Sequence, residues 1–483
     1  MGVTAAERRY RRLVVGAAAA VAIMATLLGL LAVRSHSPQR YAGDEPHYLV
    51  VANSLVLDGD VDVKNDYVNG RYVGYYPFPI DPHVNWNTFR PASPHWYPAH
   101  GIGLRALLAP AVASDGAHGA QVAMVVIAAI VLLLTFLWAK RFTAGYLLAL
   151  IPVAALGLSP FFLGLDGRIF PDLPTAALLL ACLLILELPE QRPWQLLLLS
   201  SLVAVSPWFH VKNALAFGTV VTIAFVQVAR STEGIERVRR LMLLVLPVLV
   251  SVVGFEVFVR AWYGGWSPTR IYLPTDEAFA LSEERGIAAT SFDSARGLLT
   301  NNPALLLILA GLPVWLRLSR GPVLRLALVV APTIVIQATF SAWYGGFGPP
   351  GRYTFEFVPA LIPAIALLLR ETPVAVRTAG SALLGLQWTL AAAFVWLRPP
   401  WALVGERSPF LAAVDNHVGP ALDRVMPAFD ARARLLHGGW QLAGCILASG
   451  LLVTYGASLG RRIVQPNRSE SVAATTSSTP IRE

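Results

Sequence analysis

Apolar runs of helical-span length recur along nearly the whole chain, and short arginine clusters fill every second gap between them. A bilayer's hydrocarbon core is about 30 Å thick, which about 20 apolar residues of helix can cross. About twelve segments meet or approach that length. They are Leu13–Val33, His118–Ala139, Thr143–Leu163, Leu173–Leu188, Gln195–Phe209, Ala214–Ala229, Leu241–Ala261, Pro303–Leu316, Pro322–Ala342, Phe355–Leu369, Ala375–Leu397 and Trp440–Leu459. Several fall short of a full span, which tilt or reentry accommodates. Composition agrees: 55% of the 483 residues are hydrophobic and only 14% charged, against about 25% charged in a soluble domain. So few charges cannot coat a globule with this much apolar side chain, and mean hydropathy is +0.57. A soluble enzyme, a disordered chain and a nucleic-acid-binding domain are excluded. The net charge of +9 comes from arginines set between apolar runs, the pattern that orients membrane proteins. Cys182 and Cys445 both fall inside apolar runs and make neither a disulfide framework nor a metal cluster.

The expected fold is an all-α polytopic membrane domain of about twelve spans, covering residues 1–462. Lysine and arginine in short loops mark the cytoplasmic side. These are Arg8, Arg9, Arg11 and Arg12; Lys140 and Arg141; Arg192; Arg230 to Arg240; Arg317 to Arg325; Arg370 and Arg377; and Arg461 and Arg462. They place both termini in the cytoplasm of a cell whose inner membrane holds the protein. The first run exceeds a signal peptide's usual apolar core of about 7–15 residues and reads as an uncleaved anchor. On the opposite side lie a large first loop, residues 34–100, containing short helices, and smaller segments 263–302 and 398–437. The Ser/Thr-rich stretch 463–483 has the composition of a disordered tail.

The first outer loop gathers Asp44, Glu45, Asp58, Asp60, Asp62, Asp66 and Asp81 with His47, His83, His95 and His100. Pro46 suits the first turn of a helix running on through Tyr48–Leu57, with Asp44 at its N-terminus. Asp is a preferred helix cap. Seen alone, Asp44 reads first as that cap; the functional alternative is a carboxylate at the bilayer edge acting as a general base towards a hydroxyl group. Glu45 beside it would raise one of the two pKa values. A divalent Mg or Mn ion on Asp44 and Glu45 is a further use of the same hard oxygens. The run Asp58-Gly-Asp60-x-Asp62 resembles metal-binding loops, but its central glycine also marks a solvated turn.

Four stretches carry a resemblance to the GT-C superfamily of integral-membrane glycosyltransferases, of the protein O-mannosyltransferase and aminoarabinose transferase type. They are Asp44-Glu45 after the first span, Pro98-Ala-His-Gly-Ile-Gly-Leu-Arg-Ala-Leu-Leu-Ala-Pro110, Ser159-Pro-Phe-Phe-Leu-Gly-Leu-Asp-Gly-Arg-Ile-Phe-Pro-Asp172, and Trp343-Tyr-Gly-Gly-Phe-Gly-Pro-Pro-Gly-Arg-Tyr353. The resemblance implies a transferase that takes a sugar from a polyprenyl-phosphate carrier to a glycan, lipid or protein acceptor at the outer face, with Asp44 as the base. His47, Tyr48, His100, Asp172 and Tyr353 are the matching candidates for the acceptor or sugar pocket.

A lipid phosphate needs cations at the membrane surface, and arginine grips phosphate through paired N–H groups. Arg352 follows a Gly/Pro-rich turn that lets backbone approach a ligand. Arg168 lies between Asp166 and Asp172, where a local ion pair is the alternative. In Ser206-Pro-Trp-Phe-His-Val-Lys-Asn213, His210 and Lys212 fall at the outer ends of two spans. Lys212 either binds phosphate or snorkels to headgroups, and His210 either joins it or packs. The motif Trp262-Tyr-Gly-Gly-Trp-Ser-Pro268 echoes Trp343-Tyr-Gly-Gly-Phe-Gly-Pro349, and both suit a helix leaving the membrane at the aromatic belt. No Walker motif is present, nor a strand followed by GxGxxG, which disfavours ATP-driven transport and a nucleotide-sugar donor. A transporter or lipid flippase is the rival reading, against which mid-span charges are scarce. A non-catalytic assembly subunit is a third, in which Asp44 and Arg352 would lie far apart.

Overall fold

Helices form where the apolar runs are longest. The computed structural model describes residues 16, 41, 43–85, 93–143, 145–272, 286–339, 348–397, 426–429 and 435–464. The first predicted span, the N-terminal arginines, most of segment 398–437, Trp343 to Phe347 and the tail beyond 464 lie outside the described residues. In chain order the helices are α1 (Glu45–Leu57), α2 (Lys64–Val68), α3 (Gly103–Phe142), α4 (Tyr146–Gly157), α5 (Pro160–Leu163), α6 (Asp172–Leu186), α7 (Pro193–Phe209), α8 (Asn213–Ser231) and α9 (Gly234–Tyr263). They continue with α10 (Gly286–Phe292), α11 (Leu298–Asn301), α12 (Leu306–Leu318), α13 (Arg320–Thr339), α14 (Val358–Glu371), α15 (Val374–Leu397) and α16 (Gly439–Val464). A two-stranded antiparallel ribbon pairs Ala428–Phe429 with Leu435–His437.

Each apolar segment predicted beyond residue 100 is mostly helical over its described residues, with Thr143–Leu163 divided between α4 and α5. Only four described helices are long and apolar enough to cross a membrane: α3, α8, α9 and α16. Helices α4, α6 and α7 and the stretch Pro303–Leu318 are apolar but shorter, so helix length falls short of the expected twelve spans. The exposed faces are those of a protein in lipid. On α9, Leu246, Leu249, Val250, Val253 and Val257 are each more than half exposed, an apolar stripe that water would penalise. Small residues let the helices touch: a Cβ on Gly311 of α12 would stand 2.2 Å from the Ala364 carbonyl oxygen of α14, and one on Gly456 of α16 only 1.9 Å from that of Ala310.

Helix α3 is broken at Asp115 and Gly116, whose backbone leaves the helical region (φ −150° and +56°). The break divides a lead-in helix from the predicted span that begins at His118. Residues 43–85 and 93–100 fold around their own core of Val50, Val51, Val61, Val63, Tyr67 and Trp96. The Asp58–Asp62 run is part of that scaffold. Asp60 accepts the Ser54 hydroxyl at 3.0 Å, Asp62 accepts the Trp96 N–H at 2.8 Å, and Asp58 pairs with Arg71. It forms a hydrogen-bonded turn.

Two glycines seat this segment on the bundle. A Cβ at Gly101 would lie 2.4 Å from the Trp208 carbonyl oxygen, and one at Gly103 would lie 2.7 Å from the Trp208 carbonyl carbon. The chain around His100 therefore runs directly against the end of α7. Nearby, Tyr263 donates its hydroxyl to the Pro98 carbonyl at 2.9 Å, and Trp262 stacks on Tyr97 at 5.4 Å between ring centroids. The first Trp-Tyr-Gly-Gly copy thus ends α9, with Gly264 in the left-handed conformation (φ +73°), and ties it to segment 43–100.

Candidate active site

Asp44 stands at the N-cap of α1, yet its side chain makes no capping hydrogen bond. Its carboxylate faces two imidazoles instead: His83 Nδ1 lies 3.6 Å and His100 Nε2 3.8 Å from Oδ1. The histidines are held side by side by the antiparallel bridge Val84–Pro98 and by the Ala99 N–H, which donates to the His83 carbonyl at 3.3 Å. Arg105 donates to the His100 carbonyl at 2.6 Å and lies 4.5 Å above the Tyr48 ring. Tyr48 in turn packs 5.6 Å from the His100 ring. His47 stands 5.0 Å from His83, centroid to centroid, and its Nδ1 meets the Tyr67 hydroxyl at 2.7 Å.

Burial alone would raise the Asp44 carboxyl, but His100, Arg352 and His83 hold it well below the usual carboxylate range. Burial presses the two imidazoles the other way, His47 down to about 4 and His83 down to about 3. At neutral pH Asp44 is thus a carboxylate beside the neutral rings of His47 and His83. Asp44 therefore does not show the like-charge rise that a neighbouring Glu45 could cause. Glu45 is fully buried, and its carboxylate accepts Arg168 Nη1 at 2.9 Å and the Ile169 backbone N–H at 2.9 Å.

Behind Asp44 lies a charge quartet. Arg352 Nε donates to Asp172 Oδ2 at 3.1 Å. Lys212 Nζ is 2.7 Å from Glu356 Oε1 and 3.9 Å from Asp172 Oδ1. Arg352 lies 3.7 Å above the Phe170 ring, and Lys212 lies 4.7 Å above the Tyr353 ring. All four charged side chains are at least 86% buried, with exposures of 7%, 0%, 14% and 4% for Arg352, Asp172, Lys212 and Glu356. The neighbouring acids Glu356 and Asp172 keep the Lys212 ammonium above its ordinary value against the pull of burial. His210 accepts the Lys212 backbone N–H at Nδ1, 3.2 Å away, and burial together with the Lys212 charge holds its ring well below the usual imidazole range. Asp172 opens α6, Lys212 precedes α8, and Arg352 to Glu356 precede α14. Several helix N-termini, with their partial positive charge, therefore converge on this cluster.

No protein-family description and no curated protein matches the sequence. Solved structures do. ArnT from Cupriavidus metallidurans bound to undecaprenyl phosphate aligns with a TM-score of 0.53 at 15% identity, over 96% of this chain and 79% of that one. The same protein in the apo state aligns at 0.51 and 14% identity, over 94% and 77%. The chain has the ArnT fold.

Within the ArnT fold, most of the candidate residues come together. Asp44, His47, Tyr48 and His100 form one group, Asp172, His210, Lys212, Arg352 and Tyr353 the other, and the charges of Asp44 and Arg352 act on each other. Arg168 and Glu45 pair across 123 residues of sequence; the local partners considered for Arg168, Asp166 and Asp172, are not those it takes. Lys212 turns inward to two acids and does not snorkel. A metal shared by Asp44 and Glu45 is not supported, because both Glu45 oxygens are spent on Arg168 and Ile169. Three residues were not singled out as site residues: His83, Arg105 and Glu356. Glu356 carried one signal, an acid at the mouth of an apolar run, four residues after Arg352.

Proposed function

We propose that the protein is a membrane glycosyltransferase that moves a sugar from a polyprenyl-phosphate carrier to a hydroxyl acceptor at the outer face of the cytoplasmic membrane. The observation that carries this reading is Asp44: a carboxylate at a helix start, not used for capping, facing two imidazoles and in the field of the buried Arg352. Asp44 takes the proton of the acceptor hydroxyl as its oxygen attacks the anomeric carbon. The bond from that carbon to the carrier phosphate breaks, and its electron pair leaves on the phosphate oxygen. This single displacement inverts the anomeric centre. Arg352 and Lys212 receive the growing phosphate charge. The ArnT structure bound to undecaprenyl phosphate supports a carrier of that class. Buried ion quartets add little net stability, so a cluster of this kind is better explained by a ligand. Its position at helix starts, away from mid-span, favours surface chemistry over transport.

The test is transfer of radiolabelled sugars from a panel of polyprenyl-phosphate donors in membranes containing the full chain. Asp44→Asn should lower transfer by about 10²–10⁴, the usual contribution of a general base, without loss of folded protein. Wild-type turnover in that variant would overturn the assignment.

A further inference from the structure

We infer that Arg296 is a positioning residue for Arg352: it clamps the turn Gly348-Pro-Pro-Gly351 and so sets where the Arg352 guanidinium sits. The effect on transfer rests on the transferase reading, but the clamp itself does not. Arg296 lies between α10 and α11 and is 3% exposed. Its Nη1 donates to the Gly348 carbonyl at 2.5 Å, and its own carbonyl accepts the Gly351 N–H at 2.8 Å. One residue therefore holds both ends of a four-residue turn, by its side chain at one end and its backbone at the other. The turn cannot slide along Arg296 or lift off it without leaving a buried polar group unmatched.

The turn has little slack to absorb a shift. Gly351 is left-handed (φ +71°), and a Cβ there would stand 2.8 Å from Leu298 Cδ1 and 3.1 Å from Leu298 Cα, so the chain is pressed against the start of α11. Pro349 and Pro350 restrict the backbone further. The Arg352 N–H donates to the Pro349 carbonyl at 3.1 Å, and the Thr354 N–H and hydroxyl donate to the Gly351 carbonyl at 2.8 and 2.6 Å. A displacement at Gly351 is thus passed straight to Arg352, whose Nε reaches Asp172. Arg296 is anchored in its turn. Asp293, equally buried, accepts the Ala295 and Arg296 N–H groups at Oδ2, 3.0 and 2.7 Å away, and the Phe429 N–H of the ribbon at Oδ1, 2.9 Å away. The Ser294 N–H donates to the Pro427 carbonyl at 2.8 Å. Core packing alone does not call for a guanidinium here, because burying its charge is costly. What the guanidinium adds is direction: its N–H groups form a rigid fork, so the carbonyl it grips is held in place.

The experiment measures amide hydrogen exchange and sugar transfer on the full chain in nanodiscs. In Arg296→Met, exchange in the segment 348–357 should be at least about tenfold faster than in wild type, as local opening becomes easier, while the segment 43–57 around Asp44 keeps its rate. Transfer should fall by about 10–100-fold, the loss that a misplacement of about 1 Å brings. In an Arg352→Lys background the same Arg296→Met change should lower transfer by no more than about threefold, because the group it aims is already gone and the two effects do not add. A general loss of structure would lower transfer by the same factor in both backgrounds. Arg296→Lys keeps a donor for the Gly348 carbonyl and should retain most of the protection and transfer. It also carries the test if the methionine variant folds poorly, its smaller losses again depending on Arg352. Unchanged exchange at 348–357 overturns the clamp, and equal losses of transfer with and without Arg352 overturn its positioning role. Faster exchange in the variants of a protein that transfers from no donor leaves the clamp standing and sinks the transferase reading instead.

Discussion

Glu45 sits next to the proposed base, but its structure is that of a brace. Glu45 is buried and Arg168 nearly so, with exposures of 0% and 12%, and they meet at 2.9 Å. Deleting one partner of such a pair costs about 3–5 kcal/mol, because the other charge is left uncompensated. Glu45→Ala also orphans the Ile169 N–H, which adds about 1–3 kcal/mol. Glu45→Gln keeps an acceptor for that N–H and should be milder. Arg168→Met alone strands the carboxylate, whereas the double variant Glu45→Gln/Arg168→Met removes both charges. The double variant should therefore be more stable than the sum of the single effects by about 2 kcal/mol. Equilibrium unfolding in mixed micelles, followed by tryptophan fluorescence, measures all three. Transfer by Glu45→Gln, assayed where it remains folded, should stay within about tenfold of wild type, about 1.4 kcal/mol of barrier. Additive stabilities, or a stable Glu45→Gln protein devoid of transfer, would refute the brace and return Glu45 to the chemistry.

Asp166 offers a second test: it is 2% exposed, and no ion pair or well-formed hydrogen bond reaches its carboxylate among the described residues. Burial raises its carboxyl well above the ordinary 3.8, opposed only in part by the Gly167 N–H. With the folded value raised, its contribution to stability is complete below 3.8 and is lost as pH rises through the folded value. Asp166→Asn should consequently melt above wild type at pH 7, with the gap closing as pH falls towards 4 in a thermal scan; a gap that widens in acid counts against it. At Gly456, where a Cβ would stand 1.9 Å from the Ala310 carbonyl oxygen, leucine should cost at least about 3 kcal/mol, the upper end for overpacking. Gly444→Ala, in the helix interior with open space around it, should melt at or slightly above wild type in the same assay, since alanine favours a helix by about 1 kcal/mol.

The helices were legible because apolar runs and Pro or Gly punctuation act locally. The break in α3 was harder to read, since Asp115-Gly116 lies between two helical stretches and each looks complete by itself. Asp44 could be found by its place after an apolar run and before Pro46. Its neighbour misled: adjacent residues on a helix point about 100° apart, so Glu45 turns to Arg168 while Asp44 turns to the histidines. His83 and His100 are 17 positions apart in a segment with little regular structure, and only the bridge at Val84 and Pro98 brings them together. Glu356 was hidden because a single acid has no motif; its meaning comes from Lys212, which precedes a different helix.

The close approach of Gly101 and Gly103 to the end of α7 couples that helix mechanically to the proposed reaction centre. If α7 swings as a long acyl chain slips in beside it, the Trp208 backbone pushes on these glycines, and His100 shifts by a comparable amount. Turnover would then respond to the thickness and tail chemistry of the surrounding lipid, even for acceptors that arrive entirely through water.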